Sequence, residues 1–401
     1  MKKRVIVLGC TGSIGSQTID IIRNMPERFE LCGVAAGHNA RAVEKLCSEF
    51  GCKGTVFSSD GTEGLKNLIE SSNADIAVNG IAGAAGLEPS VMVLEAGIDL
   101  ALANKETVVM AWPVILGIAR KSRASIIPVD SEHSAVFNLT QKIGSENISE
   151  LVITASGGPF RNFTDEQLAN VTVEQALKHP TWNMGPKITI DSASLANKGL
   201  EVIEACRLFG FDAENVKVVV HPQSLIHSLV RTKDGVLYAQ ISNPDMRHPI
   251  FGALVWPEYA QNYLEPFDLT GNEMSFFKPR TESFPLLKYA YECAKKGNSY
   301  PIAFNASNEI AVQAFIEKKC SFRQLAQITE LTLQKDWSAV PLSVNDVFEA
   351  DKLARKTARG ILLSVNGGFC CRLYGEFEDL VFLFSFMNWG TIVLQEFAVL
   401  L

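Results

Sequence analysis

The sequence lacks the features that define several large classes of protein. It has no excess of positive charge, because 37 lysines and arginines stand against 44 aspartates and glutamates, giving a net charge of −7. Nucleic acids select basic surfaces, so a general nucleic-acid binder is not expected. The nine cysteines are odd in number, irregularly spaced and free of CxxC pairs, which argues against a zinc site. Reduced thiols in a cytoplasmic protein are the simplest interpretation.

Long apolar runs are scarce as well. Basic residues at positions 2–4 precede an apolar stretch at 5–8, which is too short for a signal peptide and predicts a first β-strand. Residues 380–394 are apolar and uncharged, but a membrane span needs roughly 20 such residues. We predict that residues 361–401 form an atypical apolar tail, and that any membrane contact is confined to it.

The first 150 residues alternate short apolar runs with helical stretches, as in a doubly wound parallel sheet. They predict an N-terminal Rossmann-like domain with a doubly wound parallel sheet over residues 1–150. The predicted strands are 5–8, 31–36, 75–79, 99–103 and 125–129.

From residue 151 the pattern changes to that of a second, central α+β domain over 151–255. It predicts a helix at 198–209 and strands at 151–155, 217–220 and 236–241. Residues 256–283, rich in Pro, Gly and Asn, predict a linker.

A C-terminal helical bundle is predicted over residues 284–360. Ser321 and Asn345 are its candidate helix N-caps. The predicted helices lie near 284–296, 303–318, 322–334 and 345–359.

A glycine-rich loop follows the first predicted strand and opens a helix. Gly9, Gly12 and Gly15 give the spacing GxxGxxG, which suits a dinucleotide pyrophosphate, although a tight strand–helix turn also needs glycine. The second strand ends without the acidic residue of NAD-selective sites. His38 and Arg41 could instead bind a 2′-phosphate, which favours NADP as the cofactor. The alternative is that these residues belong to a solvated loop without a binding role.

Asp130 and Glu132 are carboxylates one residue apart. On an extended chain they point the same way and could close on one cation, with Glu201 as a third oxygen ligand. Oxygen ligands without a Cys/His cluster favour Mg²⁺ or Mn²⁺. A solvated strand end is the alternative for the acidic pair alone.

Polar residues suited to a phosphate occur nearby. Ser156 precedes two glycines, and Ser192, Asn197 and Lys198 add donors without the repulsion of a carboxylate. Lys198 shares a helix face with Glu201, so one helix could hold both phosphate and metal, unless the two form only a surface ion pair.

Three further features can be interpreted either as functional or as purely structural. Lys105, at a strand end, could stabilise an enolate or alkoxide, or form a solvated pair with Glu106. Residues 179–186 have the composition of a lid, or of a fixed packed loop. His221 and His227 are interpreted as satisfied core histidines.

Read in order, eight motifs resemble the 1-deoxy-D-xylulose 5-phosphate reductoisomerase family, up to about residue 359. They are GCTGSIG, ANKE, VDSEH, SGGPF, HPTW, DSASLANKGLE, HPQS and NPDMR. The resemblance implies a cytoplasmic, homodimeric enzyme of non-mevalonate isoprenoid biosynthesis. With NADPH and Mg²⁺ or Mn²⁺, such an enzyme rearranges and reduces its phosphorylated sugar to 2-C-methyl-D-erythritol 4-phosphate.

The resemblance also implies residue roles. Asp130, Glu132 and Glu201 would bind the metal and, with Lys105, act in catalysis. The implied cofactor residues are Thr11, Gly12, Ser13, Ile14, Gly37, His38, Asn39, Asn104, Glu106 and Gly185. The implied substrate residues are Lys105, Ser131, Ser156, His179, Trp182, Met184, Ser192, Asn197 and Lys198, with Trp182 and Met184 in the lid.

Two departures from the family pattern stand out. Position 38, often lysine in similar sequences, is histidine, which could weaken the hold on a 2′-phosphate near neutral pH. The tail from about Ile361 has no counterpart. Two other functions stay open: an NADP-dependent dehydrogenase of another phosphorylated hydroxy-carbonyl compound, and a redox-sensing nucleotide-binding protein.

Overall fold

A parallel sheet of alternating strands and helices forms the amino-terminal part of the computed structural model, which describes residues 2–182 and 184–366. The strands are β1 (Lys3–Leu8), β2 (Phe29–Ala36), β3 (Lys53–Val56), β4 (Ile76–Asn79), β5 (Asp99–Leu102) and β6 (Ile126–Pro128). The helices are α1 (Ser13–Asn24), α2 (Ala40–Phe50), α3 (Phe57–Ser71), α4 (Leu87–Glu95), α5 (Lys105–Ser122) and α6 (Ser131–Ile143).

The strand order is β3-β2-β1-β4-β5-β6, and every neighbouring pair is parallel. This is the predicted Rossmann-like doubly wound sheet, with its switch point between β1 and β4. Val5 to Leu8 are fully buried because helices cover both faces of the sheet. The sequence prediction missed β3, a short strand whose first two residues are exposed, so it shows no apolar run.

A second sheet follows, with helices between its strands. Its elements are β7 (Ile148–Ala155), α7 (Asp165–Leu168), α8 (Val173–Ala176), α9 (Pro186–Ala193), α10 (Ala196–Phe209), β8 (Val216–Val220), β9 (Ile226–Thr232), β10 (Leu237–Ile241) and α11 (Arg247–Val255). The strand order is β10-β9-β7-β8, with only the β7–β8 pair parallel. The missed strand, β9, carries His227, Ser228 and Arg231 among its apolar residues, which hides its pattern.

Four helices close the described chain, as predicted: α12 (Leu286–Lys296), α13 (Tyr300–Ile316), α14 (Phe322–Leu333) and α15 (Val344–Asn366). Ser321 caps α14 in a capping box with Gln324. The prediction of Asn345 as an N-cap was wrong, because Ser343 Oγ accepts the amide of Asp346 at 3.1 Å. Helix α15 continues past its predicted end at residue 359, so residues 361–366 of the predicted tail are helical. The rest of that tail, residues 367–401, lies outside the described residues.

Residues 256–283 contain no helix or strand, and Phe277 forms an isolated antiparallel bridge with Val220 of β8. The predicted linker, like the domain boundaries at 150, 255, 283 and 360, stays a prediction. One hydrophobic core joins the second sheet to the C-terminal helices, with Leu151, Leu200 and Phe304 among its residues. It fixes α10 between the two sheets. No helix within residues 2–182 and 184–366 is both long and apolar enough to cross a membrane.

Candidate active site

The glycine loop after β1 is tightly packed against its surroundings. Gly9 has φ +79°, and a Cβ there would lie 3.1 Å from the carbonyl carbon of Gly80. A Cβ on Gly15 would lie 2.3 Å from the carbonyl oxygen of Gly9, so no side chain fits. Gly12 precedes α1 without a side-chain cap, leaving the first amides of the helix available to an anion.

The carboxyl end of β2 is open to solvent. Gly37, His38, Asn39 and Arg41 are all exposed there. Asn39 caps α2, because its Oδ1 accepts the amide of Ala42 at 3.1 Å. No acidic side chain occurs between residues 36 and 41, so this segment has no carboxylate that would repel the 2′-phosphate of a cofactor.

A cavity of about 930 Å³ lies between the two sheets. Eighteen of the residues implied by the resemblance line it: Gly12, Ser13, Ile14, Asn104, Lys105, Glu106, Asp130, Ser131, Glu132, Ser156, His179, Trp182, Met184, Gly185, Ser192, Asn197, Lys198 and Glu201. Four others, Thr11, Gly37, His38 and Asn39, lie outside its wall. The cavity therefore joins the glycine loop to the carboxylates.

Three carboxylates meet in this cavity. Asp130, Glu132 and Glu201 each offer an oxygen within 4.8 Å of the others, and Glu201 is 1% exposed. The expectation of an extended chain at Asp130 and Glu132 was wrong. Asp130 is the N-cap of α6, where its side chain accepts the amide of Glu132, and Glu132 lies in the first helical turn. The helix start, rather than a strand, brings the two together.

Two lysines neutralise the carboxylates. Lys105 Nζ donates to Asp130 and, at 2.9 Å, to Glu201 Oε1. Lys198 Nζ donates to Glu132 Oε1 at 2.8 Å and also to Glu201. Three carboxylates thus share two ammonium groups. Such a cluster of carboxylate oxygens suits a hard divalent cation.

The pKa values reflect this crowding. Burial, and then the neighbouring Glu201, raise the pKa of Glu132 to about 7. Burial also raises the pKa of Asp130, but Lys105 and His133 outweigh it and hold that pKa well below its usual range. The raised pKa of Glu132 shows that the cluster disfavours a negative charge at that position, and a bound metal ion would relieve this.

A buried histidine that the sequence prediction left without a role supports two of the carboxylates. His133 Nε2 lies 2.9 Å from the carbonyl oxygen of Glu201. Its Nδ1 lies 3.3 Å from Asp130 Oδ1 and 3.4 Å from Glu204 Oε2. The carbonyl oxygen of Glu201 and the ionised Asp130 are both acceptors, so both nitrogens donate and His133 carries a positive charge. Burial opposes that charge, but Glu204 and Asp130 raise the pKa of His133 to about 9.

The opposite wall of the cavity carries hydroxyl and amide donors. His179 Nδ1 accepts the amides of Thr181 and Trp182 at 3.1 and 2.9 Å, so its proton is on Nε2. That N–H donates to Ser156 Oγ at 3.0 Å, leaving the hydroxyl hydrogen of Ser156 free for a ligand. Burial and the nearby Arg161 lower the pKa of His179 to about 4. His179 is therefore neutral at physiological pH.

The backbone next to Ser156 closes against α9. Gly157 and Gly158 have φ of +82° and +66°, which favours glycine at both positions. A Cβ on Gly158 would lie 2.6 Å from the carbonyl oxygen of Ser192. This contact brings Ser192 beside Ser156.

The loop over the cavity is irregular. Trp182, Met184 and Gly185 line the cavity, and Gly185 precedes α9, which begins with Pro186. The histidines outside the loop behave as interpreted from sequence. His221 Nδ1 lies 3.0 Å from the carbonyl oxygen of Ser275, and His227 Nε2 lies 2.8 Å from Ser242 Oγ.

Several charged residues of the cavity wall were missed, among them an ion pair on α9. Lys187 and Asp191 lie one turn apart on α9 and form a salt bridge of 2.9 Å. Their i,i+4 spacing was the available signal. It was not informative alone, because most such pairs are solvated.

A Rossmann-like sheet whose glycine loop shares a cavity with clustered carboxylates defines a class: dinucleotide-dependent oxidoreductases with a metal site. Family models narrow the class. The 1-deoxy-D-xylulose 5-phosphate reductoisomerase model matches residues 5–60 and 55–112, and models of the reductoisomerase C-terminal domains match 126–209 and 241–357. The chain belongs to the 1-deoxy-D-xylulose 5-phosphate reductoisomerase family.

Individual relatives agree with this family. The reductoisomerase of Treponema denticola is 49% identical over 377 residues, covering 91% of this chain and 99% of the relative. A reductoisomerase crystallised with NADPH, fosmidomycin and magnesium is 34% identical with a TM-score of 0.83, and the match covers 90% of this chain and 99% of that one. The Zymomonas mobilis enzyme in complex with NADPH is 37% identical with the same TM-score and coverage.

Proposed function

We propose that this chain converts 1-deoxy-D-xylulose 5-phosphate to 2-C-methyl-D-erythritol 4-phosphate, using NADPH and a divalent metal ion. The observation that carries the proposal is the single cavity that holds a glycine loop, three carboxylates and a wall of phosphate donors. A plain dehydrogenase would need no such carboxylate cluster. The reaction belongs to non-mevalonate isoprenoid biosynthesis, and we assign it to the cytoplasm.

The glycine loop is the proposed site of the pyrophosphate of NADPH, which would supply the hydride that reduces the rearranged aldehyde. The uncapped start of α1 favours that negative charge, and the open end of β2 accepts the 2′-phosphate. The proposed cofactor residues are Thr11, Gly12, Ser13, Ile14, Gly37, His38, Asn39, Asn104, Glu106 and Gly185.

Asp130, Glu132 and Glu201 are the proposed ligands of Mg²⁺ or Mn²⁺. A bound ion would acidify a substrate hydroxyl and stabilise the enolate that forms during rearrangement. Lys105 and Lys198 now neutralise these carboxylates. If a bound ion neutralised them instead, both ammonium groups would be available to substrate oxygens. Lys105 then faces the developing negative charge, and Lys198 faces the phosphate.

The phosphate of the substrate fits the wall opposite the glycine loop. Ser156 can donate its hydroxyl hydrogen, because its oxygen already accepts from His179. Ser192 and Asn197 line the same cavity and add uncharged donors. Trp182 and Met184 would cover the bound ligands and exclude water, and Ser131 completes the proposed substrate residues.

We further propose that two copies of the chain associate through β10. This strand is the edge of the second sheet, and Leu237, Tyr238 and Ile241 are each at least 40% exposed on it. An exposed apolar edge strand commonly pairs with another chain. Replacing Tyr238 with lysine should shift the protein towards monomer in analytical ultracentrifugation, and an unchanged oligomer would contradict this interface.

The function is tested by mixing the purified chain with NADPH and 1-deoxy-D-xylulose 5-phosphate, with and without Mg²⁺ or Mn²⁺. We expect metal-dependent loss of NADPH absorbance and a product identified as 2-C-methyl-D-erythritol 4-phosphate by mass spectrometry and NMR. Reduction of the sugar without rearrangement would indicate a dehydrogenase. NADPH binding without turnover would favour a nucleotide sensor.

A further inference from the structure

Lys187 connects two walls of the cavity through buried ion pairs. It is the second residue of α9 and directly follows the loop that covers the cavity. Its Nζ lies 2.6 Å from Glu106 Oε1 and 2.9 Å from Asp191 Oδ2. The Glu106 and Asp191 side chains are 8% and 1% exposed and that of Lys187 is 24% exposed, so the carboxylate side of each contact is shielded from solvent. Shielded ion pairs resist displacement far better than surface pairs.

On one side, Lys187 reaches the loops next to the glycine loop. The second carboxylate oxygen of Glu106 accepts from Asn104 Nδ2 at 3.1 Å. That amide also lies 2.7 Å from the carbonyl oxygen of Ile81 and 2.8 Å from that of Gly83, just beyond β4. The wall formed by these residues is therefore rigidly tied to the ammonium group of Lys187.

On the other side, Lys187 reaches the C-terminal helices. Asp191 Oδ1 accepts from Asn308 Nδ2 of α13 at 2.8 Å. The neighbouring Glu309 accepts the amide of Ala84 at 3.0 Å, so α13 also contacts the segment that follows β4. Helix α9 is thus held between the Rossmann-like sheet and the helical region.

We propose that Lys187 is a positioning residue: by joining Glu106 to Asp191 it fixes the start of α9, and with it the adjoining Met184 and Gly185, over the bound cofactor and substrate. The inference rests on the function proposed above. Lys187 donates its hydrogens to protein carboxylates and takes no part in the chemistry. Without it, two buried carboxylates would repel each other, and the loop would cover the cavity for a smaller fraction of the time.

The test is the Lys187→Met variant, which keeps the length of the side chain and removes its charge. If the covering conformation becomes tenfold rarer, apparent affinities fall by the same factor. We therefore expect KM for NADPH and for the sugar phosphate to rise about tenfold, while kcat at saturation changes less than about threefold. Lys187→Arg keeps the charge and should restore most of the affinity.

Lys318→Met is the matched control, because Lys318 pairs with Glu174 at 2.8 Å on the surface, where both side chains are more than 60% exposed. It should leave both KM values unchanged. Folding is checked by the unfolding midpoint of each variant. If Lys187→Met does not fold, Asn308→Leu breaks only the outer contact and should raise KM in the same direction, by a smaller factor.

The affinity for NADPH, measured by its fluorescence without the sugar, tests the inference separately from turnover. Weaker NADPH binding in Lys187→Met, restored in Lys187→Arg, supports the positioning role even if the wild type fails to convert the sugar. A lower unfolding midpoint with both KM values and the NADPH affinity unchanged would overturn it, because the ion pair would then serve stability alone.

Discussion

Replacing Glu201 with glutamine should separate metal binding from cofactor binding. Glu201 is 1% exposed and lies on α10, and its oxygens accept from Lys105 and Lys198. The substitution keeps the shape of the side chain and removes one of three clustered negative charges. The Glu201 carboxylate accepts from Lys105, Asn197 and Lys198, none of which is a proposed cofactor residue, so NADPH affinity should stay nearly unchanged.

The distances give the size of the effect. The cation that now neutralises Glu201 Oε1, Lys105 Nζ, lies 2.9 Å away and stands in for the charge that a bound ion would supply. Unit charges at that separation attract by roughly 6 kcal/mol at an effective dielectric constant of about 20. Most of this is offset by desolvation and by the oxygen that glutamine retains. A remaining loss of about 2.7 kcal/mol would weaken Mg²⁺ binding about a hundredfold.

The assay is calorimetric titration of Mg²⁺ into wild type and Glu201→Gln, with turnover and NADPH fluorescence measured on the same samples. We expect loss of turnover with retained NADPH binding. Glu150→Gln is the control, because Glu150 forms an ion pair with Arg231 away from the cavity. Unchanged Mg²⁺ affinity in Glu201→Gln, or full activity of the wild type in excess chelator, would refute the assignment.

Three further outcomes are expected. NADPH should be preferred over NADH because no carboxylate stands at the end of β2, and equal kcat/KM for the two would contradict a role of His38, Asn39 and Arg41. Removal of residues 367–401 should preserve activity, since the cavity-lining residues within the described part of the chain all fall between 12 and 247; cutting after Arg359 should lower Tm, because Ile361 and Leu362 pack against the core. Because the pKa of His179 is lowered to about 4, the unfolded chain binds more protons below about pH 6.5. Protonation of His179 therefore reduces the stability of the folded protein as pH falls from about 6.5 to 4. Over this interval the Tm of His179→Gln should fall less than that of wild type.

The fold was largely predictable because its strands are buried on both faces and appear as apolar runs. The failures were local. Strand β3 has two exposed residues of four, and β9 mixes polar residues into its pattern, so neither shows an apolar run. Asn345 has the right residue type for an N-cap, but Ser343 forms the hydrogen bond.

The site shows the same limit. Residue types suggested that Asp130, Glu132 and Glu201 meet, and the structure brings them together, but through a helix cap rather than an extended chain. Neither the charge of His133 nor the bridge made by Lys187 follows from spacing. Both depend on partners roughly 70 to 120 residues away along the chain, which only the packing of α10 and α13 brings near.

The most direct test of the account is the anomalous diffraction signal of Mn²⁺ in crystals grown with NADPH. We expect one peak enclosed by Asp130, Glu132 and Glu201, with the ammonium groups of Lys105 and Lys198 turned away from the carboxylates. A second set of potential ligands, Asp130, His133 and Glu204, lies beside the first. A peak at that second set, or no peak beside Glu132 and Glu201, would contradict the proposed metal site.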